Sequence, residues 1–63
     1  MTTYKITAGK HGIYSSGIVV AATEEEAEAV YIKRGYKIVG CWPAAEYEIE
    51  EARIKRMPIT EAR

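Results

Sequence analysis

The sequence predicts one small α+β domain, a short antiparallel sheet with a single helix packed on one face. Three observations carry that prediction. The first residues alternate apolar and polar side chains in the period of a strand. A segment near the middle carries start and stop signals of a helix. The chain has 63 residues, which leaves room for one core. The expected order is strand, strand, helix, strand, then a bulged strand or a second helix over residues 45–57.

The first strand is read at residues 3–8, where Tyr4, Ile6 and Ala8 alternate with Thr3, Lys5 and Thr7. Gly9-Lys10-His11-Gly12 follows, and its two glycines can supply the positive φ that a hairpin turn needs. The second strand is read at 13–22. Tyr14, Ser16, Ile18, Val20 and Ala22 take one face, and Ile13, Ser15, Gly17, Val19 and Ala21 the other. Apolar residues on both faces predict a central strand.

The helix is read at 24–34. Thr23 is a good N-cap, and Glu26 three residues later completes a capping-box pattern. Glu24, Glu25, Glu26 and Glu28 lie in the first turns, where the helix dipole favours negative charge, and Lys33 and Arg34 close the last turn. Gly35 falls at the C′ position. Ala27, Val30, Tyr31 and the Arg34 stem make one inward stripe. Ile32 lies off that stripe and is a candidate interface residue.

Tyr36 to Trp42 reads as the third strand, with Tyr36, Ile38, Gly40 and Trp42 on one face and Lys37, Val39 and Cys41 on the other. Pro43 ends it. Residues 45–57 admit two readings. Glu50–Arg53 and Glu51–Lys55 have helical spacing, yet Tyr47 and Ile54 would then face away from Ile49. As a strand, 46–50 and 51–55 each alternate, with a change of parity that a β-bulge would explain. The bulged strand is the reading adopted, because it buries Tyr47, Ile49 and Ile54 together; a second helix is the alternative. Thr60 to Arg63 are expected to be frayed.

Composition narrows the possible functions. Nine Lys and Arg balance nine acidic residues, so the chain as a whole lacks a strongly basic footprint. One cysteine excludes an intrachain disulfide, and Cys41 with His11 supplies at most two of the four ligands of a structural zinc site. A lone cysteine fits a reducing compartment, no apolar run approaches a membrane span, and residues 1–5 lack a secretory apolar core, so a cytoplasmic location is expected. Chains of this size bury only about 60% of their unfolded surface. Self-association is then the remaining device for added stability, and a homodimer is expected.

Few residues suggest chemistry. His11 and Cys41 are the one conventional base and nucleophile, but the first falls in a turn and the second in an apolar strand, with no acid placed to orient them. The glutamates are accounted for by the helix dipole and a solvated face. Gly9-Lys10-His11-Gly12 has GxxG spacing but separates two strands, whereas a KH loop joins helices. Arg34-Gly35-Tyr36 opens like the RNP1 motif, but Lys37 and Ile38 depart from it and no aromatic stands at Cys41. No cofactor motif occurs.

The leading expectation is therefore a small non-catalytic protein-interaction module, a regulator or inhibitor of phage or mobile-element type, with Ile32, Trp42 and Tyr47 as anchors. The alternative is a nucleic-acid binder using Lys10, Lys33, Arg34, Tyr36 and Lys37, where cations and an aromatic gather near the helix C-terminus.

Overall fold

In the computed structural model, which describes residues 1–62, the elements run β1 (Thr2–Lys10), β2 (Ile13–Ala21), α1 (Glu24–Ile32), β3 (Lys37–Pro43), α2 (Glu46–Ile54) and β4 (Ile59–Glu61). They form the expected small α+β fold around one sheet of order β3-β1-β2-β4. β1 pairs antiparallel with β2 and with β3, while β4 pairs parallel with β2, so the sheet is mixed.

The β1–β2 hairpin follows from alternation and from the turn. Lys10 pairs with Ile13 across a two-residue loop, and both loop residues have positive φ, His11 at 53° and Gly12 at 78°. A two-residue hairpin loop with two left-handed residues matches the right-handed twist of its strands. The left-handed pair is thus His11-Gly12; Gly9 lies within β1.

Tyr4, Ile6 and Ala8 of β1 and Val19 and Ala21 of β2 point to one side of the sheet, where α1 lies. Ala27 and Tyr31 descend from the helix onto them, and Val30, Tyr36, Ile38 and Cys41 pack at the margin. Ile6 and Val19 are fully buried; each such side chain contributes roughly 1.5–3 kcal/mol. Gly17 admits the helix closely, since a methyl group there would collide with the Tyr31 hydroxyl. Thr23 caps α1, its Oγ1 accepting from the Glu26 N–H at 3.2 Å. At the other end Gly35, at φ 87°, donates to the Ile32 carbonyl and Tyr36 to that of Tyr31, the bond pattern of a Schellman stop.

β3 carries a bulge opposite Thr7 and Ala8. Ile38 is opposite Ala8 and Cys41 opposite Ile6, so both face α1, while Gly40 and Trp42 face away. The simple alternation expected for this strand fails because the extra residue, Val39, switches parity within it.

Of the two readings of 45–57 the helix is the one that forms, and the bulged strand is corrected. Glu48 reaches back to accept from the Ala45 N–H at 3.1 Å, which starts α2 although Ala45 has no side-chain oxygen of its own. Ala52 is fully buried and Ile49 half-buried, whereas Tyr47 and Ile54 point outward. A helix turns these residues to two sides at once, so Tyr47, Ile49 and Ile54 are not buried together. α2 lies on the side away from α1, against β2, where Ile18 is 1% exposed. The expected fraying at Thr60 to Arg63 is corrected too. Thr60 and Glu61 belong to β4, and Ala62 donates to the Val20 carbonyl at 2.8 Å; Arg63 lies outside the described residues.

Candidate functional site

The side of the sheet away from α1 is only partly covered. By register, Lys5, Thr7 and Gly9 of β1 share it with Tyr14, Ser16 and Ile18 of β2 and with Gly40 and Trp42 of β3. α2 closes over Ile18. Toward the hairpin the face stays open, crossed by the hydroxyl pair Thr7–Ser16 at 3.1 Å. Two aromatic rings lie on this face above glycines. The Trp42 ring occupies the space where a Gly40 side chain would stand, and the Tyr14 ring does the same over Gly9. Aromatic cover of a glycine is a stabilising device of strands, which explains each ring's inner face but leaves its outer face open.

Trp42 is held further by Glu48, whose two carboxylate oxygens accept from its Nε1 at 3.2 and 3.1 Å. Tyr47 is the neighbouring residue on α2 and is 72% exposed. Ile54, two turns on, is 77% exposed. Trp42 and Tyr47 therefore fall on the same side of the molecule. Ile32 does not join them: it is exposed on α1, across the sheet. Ile54, Val39 and Tyr14 are exposed apolar residues that the sequence reading did not single out. Tyr14 had a readable signal in its position beside a glycine-flanked turn. Ile54 was concealed by the assumption that it would be buried.

Among the five basic and aromatic candidates, three converge. Lys10 Nζ donates to the Arg34 carbonyl at 2.8 Å and lies 5.3 Å from the centre of the Tyr36 ring. The Tyr36 ring meets Tyr31 edge-on at 5.4 Å, and the Arg34 guanidinium lies 5.9 Å from the Tyr31 ring. Tyr36 is thereby packed between a lysine and a core tyrosine, and its ring is not offered for stacking. Lys37, opposite Gly9 on β3, takes the other side of the sheet, the side of Tyr14. Lys10, Lys37, His11, Tyr14 and Val39 line a shallow depression of about 630 Å³ whose remaining walls are Gly9, Gly12, Gly35 and Ile38. Lys33 stands apart, in a second depression of about 460 Å³ beside Thr60 and Glu61.

The base and the nucleophile of the sequence reading, His11 and Cys41, do not meet. Cys41 is paired with Ile6, five residues along β1 from His11, or about 17 Å at the rise of a strand. Burial pushes the Cys41 thiol up to about 11, with Glu24 and Glu28 adding to the shift, so it stays protonated at neutral pH. Glu28 is also raised, by desolvation first and then by Glu24 and Glu25. Glu24, Glu28 and Cys41 bring donor atoms within 4.8 Å of one another, the group among the described residues that could share a cation. Sequence spacing does not reveal it, because it forms only when β3 lies beside α1.

A scan against protein-family models and searches of curated proteins and of solved structures find no match to this chain. Among the described residues, no helix is long and apolar enough to cross a membrane.

Proposed function

We propose that this chain is a small, non-catalytic protein-interaction module of the cytoplasm, a regulator or inhibitor that grips its partner through the α2 side of the sheet. One observation carries the reading: Trp42, Tyr47 and Ile54 turn large apolar surface to solvent on that side, although Ala52 and Ile49 on the same helix are available to pack inward. Exposed apolar groups that cluster mark interaction surfaces more often than scattered ones. Aromatic anchors are the side chains that dominate such interfaces. Trp42 is already fixed by Glu48, so little side-chain freedom is lost on binding.

The expected partner is another protein or a second copy of the chain. A photo-crosslinking residue in place of Tyr47 should capture one defined product, and the same residue in place of Glu25 on α1 should not. Ile54→Ser should lower the yield, as loss of an anchor costs roughly tenfold in Kd. Equal capture from both positions, or none from either in the native host, would remove the proposal. Sedimentation equilibrium separates the homodimer from a foreign partner.

A further inference from the structure

We propose that the hairpin end of the molecule binds single-stranded nucleic acid, with a base laid on Tyr14, its phosphate held by Lys37 on the same side of the sheet, and a neighbouring phosphate held by Lys10 from the α1 side. This site does not depend on the interface around Trp42 and Tyr47. Its first support is the distribution of charge. The chain is neutral overall, but the depression at the β1–β2 turn is lined by Lys10, His11 and Lys37 and by no carboxylate. The helix-dipole pattern explains the segregation. α1 keeps Glu24, Glu25 and Glu26 in its first turn, after β2 has left the hairpin, and brings Arg34 and Gly35 back to Lys10.

Pre-organisation is the second support. Lys10 is pinned by the Arg34 carbonyl and the Tyr36 ring, which fixes its stem. An ammonium has three donors, so two remain for a ligand. Gly12 places open main chain in the wall, since nothing stands within 4 Å of where its side chain would be.

The third support is Tyr14. One side of its ring lies over Gly9, and the residue is 72% exposed. An open aromatic face beside cations suits a base and its phosphate better than an acidic peptide, which would use the charges alone. A single strand is required because bases in a duplex are stacked out of reach of such a ring.

Fluorescence anisotropy with fluorescein-labelled oligothymidylate and oligouridylate tests the proposal on the full chain. Binding should appear at low salt and weaken as salt rises. Tyr14→Ala should weaken it about tenfold, the loss of one stacked base. Lys37→Gln should reduce the slope of log Kd against log salt by about 0.7, the loss of one phosphate contact. Both side chains are exposed, and circular dichroism checks that the variants keep their fold. No binding up to about 100 µM, the weak limit of non-specific association, would overturn the assignment. So would wild-type affinity in Tyr14→Ala, or equal competition by polyglutamate or by duplex DNA.

Discussion

Arg56 has φ 55°, the left-handed region that glycine occupies without strain. It holds that conformation because it is the C′ residue of α2: its N–H donates to the Arg53 carbonyl at 3.3 Å and the Met57 N–H to that of Ala52 at 2.8 Å. α1 stops with the same bond pattern but has Gly35 in the equivalent place. One helix stop is therefore relaxed and the other strained, within one chain. Arg56→Gly should relieve the second, and the gain should be about 0.5–1 kcal/mol after the added unfolded-state entropy of glycine is subtracted. A rise in the urea midpoint at unchanged slope would show it; a fall would mean that the Arg56 side chain does more than hold the turn. This difference explains part of what was legible in the sequence. Gly35 announced the end of α1, while an arginine at the corresponding position gave no sign that a helix had ended.

At the scale of elements, α2 depends on one carboxylate. Glu48 accepts from the Ala45 N–H and from Trp42 Nε1, joining the start of the helix to the end of β3. Half of a capping box is present, and the indole supplies a second donor in place of the missing cap side chain. Glu48→Ala should cost about 1–2 kcal/mol, the range for loss of a cap, and should also free the indole. The expected record is a lower thermal midpoint together with altered Trp42 fluorescence. If the midpoint falls while the emission spectrum stays unchanged, the Trp42–Glu48 bond is not made in solution. β1 and β2 were readable because strand alternation is local and their faces are consistently buried or open. In the sequence the helical spacing of 45–57 competes with the burial that large apolar residues such as Tyr47 and Ile54 favour. What places them outside is the sheet, which accepts only Ala52 and Ile49, and the sheet is assembled from distant residues. The bulge in β3 was unreadable for a similar reason, since a parity change has meaning only against a partner strand.

For the molecule as a whole, the last strand decides how the sheet is closed. β2 has β1 on one flank, and its other flank would be open without residues 58–62. The Ile18 N–H donates to the Pro58 carbonyl at 2.9 Å and the Ala62 N–H to the Val20 carbonyl at 2.8 Å, while Ile59 to Glu61 run parallel to Ile18 to Val20. Only a crossover can bring a parallel strand to that place, and α2 is the crossover. The helix that covers Ile18 thus also delivers the strand that flanks it. The same arrangement answers part of the case for a dimer made from length alone: the second face of the sheet is half covered from within, and what remains for a partner is the outer stripe of α2 and the hairpin end. Ending the chain at Pro58 keeps α2 and the Ile18 bond but removes the ladder beyond it. The cost should be about 2 kcal/mol, from lost backbone hydrogen bonds at about 1 kcal/mol each and partial exposure of the Ile18 and Val20 flanks. In the full chain the Ala62 amide should exchange slowly with solvent deuterium, as a paired amide does. Fast exchange at Ala62, together with an unchanged urea midpoint on truncation, would show that β4 contributes nothing to the sheet and that α2 holds its place without it.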